Sequence, residues 1–141
     1  MNIAFFLTPK KDVVYMKENA TMRQTMERME YHRYSAIPIV GKDGGYVGTL
    51  TEGDLLWKIK NTPGLDFESA SRVPISEIPR RVVNEPVHIN CDMEDLLIIA
   101  AKQNFVPVVD DENRFIGIVK RSAIITYCYD KLYRVKTILK A

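Results

Sequence analysis

The sequence is short of nearly everything that marks a secreted, metal-binding or nucleic-acid-binding chain. It has two cysteines and two histidines among 141 residues. Cys91 and Cys128 are isolated thiols without CxxC spacing, which argues against a disulfide scaffold and fits a reducing compartment. Their simplest role is that of small, partly buried side chains. His32 and His88 belong to no HxH, HExxH or Cys/His cluster, so no metal site is predicted. A net charge of +2, with no aromatic-basic ladder, gives no case for nucleic acid as a partner. Long hydrophobic runs are missing too. Residues 3–7 and 96–101 are the longest, far below the roughly 18 needed to cross a bilayer, so no membrane partner is predicted. No basic segment precedes Ile3 and no small-residue cleavage pattern follows Leu7, which makes a cytoplasmic location the expectation. Neither a P-loop, a GxGxxG string nor a nucleophile elbow is present. No convergent acid, base and nucleophile can be assembled, so neither an enzyme nor a catalytic cofactor is predicted.

What is present is ordinary for a globular chain: 46% hydrophobic and 27% charged residues, enough for one domain or for two small units sharing a core. The informative feature is an internal repeat. Gly48-Thr49-Leu50-Thr51-Glu52-Gly53-Asp54 has an altered copy, Gly117-Ile118-Val119-Lys120-Arg121-Ser122-Ala123, 69 residues later, and the same offset relates Ile37-Pro38 to Val106-Pro107. Each copy sits where a strand gives way to a helix. In the first half, residues 8–12 form a polar turn, 13–16 a short strand, and 19–30 a helix in which Thr21 and Gln24 have capping-box spacing. Met22, Met26 and Met29 share one face of that helix, either as core or as a partner groove. Residues 36–40 and 46–50 flank a glycine-rich turn and predict a hairpin. Thr51 then caps a helix carrying Leu55, Leu56, Trp57 and Ile59. A mixed, proline-bearing segment follows, within which Leu65 and Phe67 form at most a short turn packed on the module. The order then begins again: a strand at 87–89, a helix on Met93, Leu96, Leu97, Ala100 and Ala101, a hairpin from Val106 to Val119, and a final helix from Ser122 almost to Lys140. The expected fold is α/β, two β-α-β-β-α units packed as one pseudo-twofold module, with units at 1–61 and 75–141 joined by a linker at 62–74.

Ile37-Pro38-Ile39-Val40, the glycine turn and Tyr46 to Leu56 resemble the signature of the cystathionine-β-synthase (CBS) domain. Phe105-Val106-Pro107-Val108-Val109-Asp110 with Phe115 to Arg121 is similar to a second copy. The resemblance implies a stand-alone CBS pair that binds adenosine-containing ligands in clefts between its units and dimerises into a flat disc. It also implies that Thr51 contacts phosphate or ribose and that Asp54 holds the ribose hydroxyls. The chemistry agrees, because a helix N-terminus offers unpaired N–H groups to phosphate and a carboxylate accepts from both hydroxyls of a diol. Read alone, Thr51 and Asp54 are a capping box that starts a helix. By the same analogy Thr49, Ser35, Ala36, Val82, Asn84, Val87, Asn104 and Phe105 line the conventional cleft, though residues of these kinds are individually more often ordinary core.

The second cleft departs from the pattern, with Lys120 in place of the threonine and Ala123 in place of the aspartate. Thr8, Lys11, Val13, Tyr34 and Ser35 would supply its wall. Lys120 and Arg121 at a helix start, with Lys10 and Lys11, read either as a phosphate site or as a solvated basic surface. Small stand-alone CBS pairs that bind cyclic di-AMP are similar in size, in the segment Tyr34-Ser35-Ala36-Ile37-Pro38 and in a basic pair after the last strand. A cyclic dinucleotide has its 3′ oxygens esterified, so the missing aspartate suits it. The ligands implied are therefore an adenine nucleotide (AMP, ADP or ATP) or cyclic di-AMP, sensed by a homodimer that signals to a separate effector protein. The last helix, through Ile124, Ile125, Tyr129, Leu132, Tyr133 and Val135, is the candidate dimer or partner surface. The alternative is a structural interaction module without a ligand.

Overall fold

The computed structural model describes residues 2–140, with side chains described for 2–134. Its strands and helices follow in chain order as β1 (Leu7–Pro9), β2 (Met16–Lys17), α1 (Met22–His32), β3 (Ala36–Val40), β4 (Tyr46–Thr51) and α2 (Glu52–Asn61), then β5 (Val87–His88), α3 (Met93–Ala100), β6 (Phe105–Val109), β7 (Phe115–Lys120) and α4 (Arg121–Lys140). The mixed α/β class is as expected.

Two compact units form. The first comprises residues 14–84 with 112–115, and the second comprises the chain up to residue 13, residues 85–111 and the chain from 116 onward. The first carries the sheet β2-β3-β4 and the second the sheet β1-β7-β6-β5. In each, an antiparallel hairpin follows a helix. A two-residue strand then adds in parallel, with Met16 opposite Ile39 in the first unit and Val87 opposite Val108 in the second. Pro38 and Pro107 both lie one residue before these parallel contacts, so their missing N–H groups fall outside the parallel pairing. Ile37, Ile39 and Leu50 join Met22 and Met29 in one core, and Val106, Val108 and Val119 join Ile3 and Leu96 in the other. Apolar runs in β3 and β6 are buried almost throughout because each strand is central in its sheet.

The methionine face of α1 packs inward, with Met22 and Met29 buried and Met26 half-buried. Thr21 and Gln24 do form the capping box, and the helix ends in left-handed Arg33 (φ 59°), whose N–H bonds back to Met29 and Glu30. α1 starts and ends two to three residues later than predicted.

Four sequence expectations need correction. Residues 8–12 are not simply a polar turn: Thr8 and Pro9 belong to β1, which pairs antiparallel with β7, Thr8 opposite Ile118. Val13, Val14 and Tyr15 precede the strand predicted to contain them, because only Met16 and Lys17 reach β3. Leu65 packs on the first core as expected, but the proline-bearing segment does more than that and folds onto α1: Met22 N–H bonds to Val73 O at 2.7 Å, Ile75 N–H to Ala20 O at 2.9 Å, and Ala70 and Ile75 enter the first core. Finally, Cys91 is half-buried but Cys128 is exposed, as expected of the first thiol and not of the second.

Candidate functional site

In the first unit, β4 runs directly into α2, and the junction gathers the polar residues singled out from the sequence. Thr51 is the N-cap, in extended conformation (φ −113°, ψ 162°). Its hydroxyl accepts from Asp54 N–H at 3.2 Å, while Asp54 Oδ2 accepts from Thr51 N–H at 3.0 Å. The capping box is therefore complete. It accounts for only half of the carboxylate, because Oδ1 accepts from the backbone N–H of Arg81 at 2.9 Å. Asp54 is 3% exposed, an unusual place for a carboxylate unless it is held by donors. The Glu52 N–H donates to Ser35 O at 3.0 Å, which ties the end of the α1–β3 loop to the same helix start.

Thr49, also buried, shares a hydrogen bond of 2.7 Å with the Tyr46 hydroxyl, and Tyr46 donates to Asn84 O at 3.0 Å. Burial raises the Tyr46 pKa above its ordinary value, opposed by the Thr49 hydrogen bond and the charge of Arg80. The Arg80 side chain lies against Gly48, where an added Cβ would stand 2.6 Å from its Nε. Arg81 places its guanidinium 5.2 Å from the centre of the Trp57 ring, with Lys60 Nζ 5.7 Å from the same ring. Tyr46, Trp57, Arg80 and Arg81 were not singled out from the sequence as site residues. The Arg-Arg doublet next to Val82 was the available signal, and the tyrosine looked like one more aromatic in a strand. Ser35 and Val82 are exposed and Ala36 half-buried in this unit.

The equivalent junction in the second unit is built from other side chains. Arg121 N–H donates to Asn104 O at 3.0 Å, the counterpart, 69 residues on, of the Glu52–Ser35 bond. Lys120 is exposed, and a lysine cannot accept from the first turn of α4 as Thr51 does in α2. Arg121 does not simply face outward as part of a basic pair. Its Nε donates to Ala100 O at 2.8 Å and Gln103 O at 2.9 Å, neutralising the carbonyl end of α3. Gln103 is itself buried, its side-chain amide bonded to Glu85 on both of its polar groups. Ala123 lines a groove of about 470 Å³ with Phe5, Phe6, Leu7 and Tyr127. Val87 is core, Phe105 half-buried, Asn104 and Lys11 exposed, and Thr8 and Val13 half-buried, all in this second unit. Tyr34 lies in the first unit, stacked on His32 at 5.2 Å, and lines a groove of about 510 Å³ with Met26, Leu55, Leu56 and Ile59. His32 is half-buried and forms the end of α1. His88 makes a 2.6 Å contact with Asp111.

On α4, Ile125, Tyr129, Leu132 and Tyr133 are exposed, but Ile124 is 4% exposed and belongs to the second core. Ile124 is therefore not part of the surface proposed for it, since the helix must bury one stripe on its own sheet. Val135 lies outside the residues whose side chains are described. Among the described residues, no helix is long and apolar enough to cross a membrane.

The repeated junctions correspond to a known family. The CBS domain model matches residues 6–61 and again 75–130, and the chain belongs to that family, with two copies. A curated relative, the chloroplastic CBS domain-containing protein CBSX1 of Arabidopsis thaliana, is 22% identical over 144 residues. That match covers 85% of this chain and 61% of the relative, so the chain spans less than two thirds of its length. Among solved structures, CbpB in complex with cyclic di-AMP superposes with a TM-score of 0.85 at 21% identity, covering 97% of this chain and 90% of that one. CBSX2 in complex with AMP gives 0.70 at 19% identity, covering 92% and 96%. CbpB of Listeria monocytogenes, also in complex with cyclic di-AMP, gives 0.76 at 17% identity, covering 93% and 97%. The likeness in these structures is one of fold.

Proposed function

We propose that this protein is a regulatory CBS pair that binds an adenine nucleotide and passes its state to a separate effector protein. The observation that carries the reading is the β4–α2 junction. A buried carboxylate (Asp54), two threonine hydroxyls (Thr49 and Thr51) and a helix N-terminus meet there within one unit. Such a group suits a ribose phosphate: the carboxylate accepts from sugar hydroxyls and the helix start favours the anion. Family membership supports the same reading, as do relatives of the same fold solved with AMP and with cyclic di-AMP.

The ligand is AMP, ADP or ATP at the first unit, where Thr51 and Asp54 are present. Cyclic di-AMP is better suited to the second, where Ala123 removes the carboxylate and exposed Lys120 adds a cation. The protein acts as a homodimer in the cytoplasm, and binding changes the surface offered to its effector by shifting a population of states. No step of catalysis is assigned to it. Titration calorimetry with AMP, ADP, ATP and cyclic di-AMP tests the reading. Binding of at least one is expected, with loss of about tenfold or more in mononucleotide affinity on Asp54→Ala, since a charge-assisted hydrogen bond is worth about 1.5–3 kcal/mol. Failure of all four to bind would refute it in favour of a structural interaction module.

A further inference from the structure

We propose that residues 80–84 are a strap that occupies the ribose-facing oxygen of Asp54 and must be displaced when a nucleotide binds. The proposal rests on the nucleotide-binding reading of this junction. It starts from an oddity of the first unit: Asp54 is buried, yet one of its two oxygens is satisfied not by the helix it caps but by Arg81, 27 residues away.

The segment that supplies this donor is held weakly. At one end Arg81 N–H meets Asp54 Oδ1 at 2.9 Å, and at the other Asn84 O accepts from Tyr46 at 3.0 Å. Between the two anchors Val82 is 62% and Val83 84% exposed, so no apolar side chain there fastens the strap to the unit. Ile78, just before it, is 2% exposed and marks where burial of the chain stops. The arginines add contacts through Gly48 and Trp57 but, among the described residues, no ion pair with a carboxylate. The bond to the Asp54 carboxylate is worth about 1.5–3 kcal/mol and the neutral one to Asn84 O about 0.5–1.5 kcal/mol, so a strap held by these two opens locally far more easily than the unit unfolds.

The exchange favours a diol. Oδ1 gives up one amide donor, while a ribose with free 2′ and 3′ hydroxyls brings two O–H donors to the carboxylate; the released Arg81 N–H passes to water. The strap therefore lowers apparent affinity by the fraction of molecules in which it is closed.

Proline at position 81 lacks the N–H and so cannot close the strap on Asp54, whereas alanine keeps it. Calorimetry on the full chain is expected to show Arg81→Pro binding AMP at least about tenfold more tightly than Arg81→Ala, the value of one hydrogen bond to a charged group. In the wild-type protein, amide exchange followed by NMR is expected to show Arg81 N–H protected without ligand and at least about tenfold faster with saturating AMP. That second measurement decides the matter if the proline variant does not fold. If AMP binds the wild type, but Arg81→Pro binds it no more tightly than Arg81→Ala or the Arg81 amide stays protected with AMP bound, the strap is wrong and the nucleotide reading survives. If neither the wild type nor a folded Arg81→Pro binds AMP or cyclic di-AMP, both are wrong.

Discussion

The two hairpin–helix junctions share a backbone and almost none of its chemistry. The first junction places Tyr46, Thr49, Thr51 and Asp54 where the second, 69 residues on, has Phe115, Ile118, Lys120 and Ala123, although Phe115 itself packs in the first compact unit. Strand bounds, the parallel addition of a short strand, and the N–H···O bond at the helix start all correspond. Yet the first junction carries two hydrogen-bonded polar pairs, Tyr46–Thr49 and Thr51–Asp54, while the second is apolar except for Lys120. The lesson is that the fold asks only for two apolar strands and a turn into a helix. The polar residues of the first junction exceed what folding requires, which is why they are the better candidates for binding.

Glycine gives the sharpest test, because the two junctions need it for different reasons. At Gly117 (φ 156°) a Cβ would lie 2.2 Å from the backbone oxygen of Thr8, which cannot withdraw without breaking β1 from β7. At Gly48 it would meet the side chain of exposed Arg80, which can swing away. Gly117→Ala is expected to destabilise by about 3 kcal/mol and Gly48→Ala by less than about 1 kcal/mol, read from urea denaturation midpoints. Equal effects would mean that β1 is not the constraint on β7.

The basic residues of the second junction separate in the same way. Arg121→Ala removes the donor to Ala100 O and Gln103 O and is expected to cost about 2 kcal/mol of stability. Lys120→Ala should stay within about 0.5 kcal/mol, as for other exposed positions, and should instead weaken binding of an anionic ligand if that unit takes one. Thermal melts of both variants check the first statement, and calorimetry with cyclic di-AMP checks the second. A destabilising Lys120→Ala would show that the lysine, too, has a structural role.

Much of this architecture was legible because it is repetitive. The 69-residue offset placed both hairpins, and the capping box at Thr51 placed the start of α2 to the residue, whereas the helix read from residue 19 begins only at Met22, after its Thr21 cap. What could not be read depended on partners distant in sequence or on backbone atoms. Thr8 looks like part of a polar turn until β7 lies beside it. The 62–74 stretch, rich in polar residues and broken by proline, gives no apolar period, yet single residues such as Ala70 are enough to fasten it to α1. Arg121 looked like half of a basic pair because its Nε acceptors are main-chain carbonyls, which every residue possesses. The capping box, the alternative to a ribose contact for Asp54, is present, but the Arg81 N–H on its other oxygen carries no side-chain signature at all.

The smallest expected effect concerns the hydroxyl that distinguishes Tyr46 from Phe115. The two rings stack with centroids 6.3 Å apart, so the comparison is between neighbours in one environment. Burial raises the pKa of Tyr46, which means the folded protein holds its proton more tightly than the unfolded chain does. The sign follows from linkage: the stability this contributes is whole below the unfolded-state tyrosine pKa of about 10 and is lost as pH rises from there through the folded value. Tyr46→Phe removes that dependence together with the bonds to Thr49 and Asn84 O. The variant should therefore be less stable than wild type at pH 7 by about 1 kcal/mol, and the difference should shrink in urea titrations carried out above pH 10. A difference that stays constant across that range would mean that the tyrosine ionises as freely in the folded protein as in the unfolded one, and that the first junction is more open to water than its burial implies.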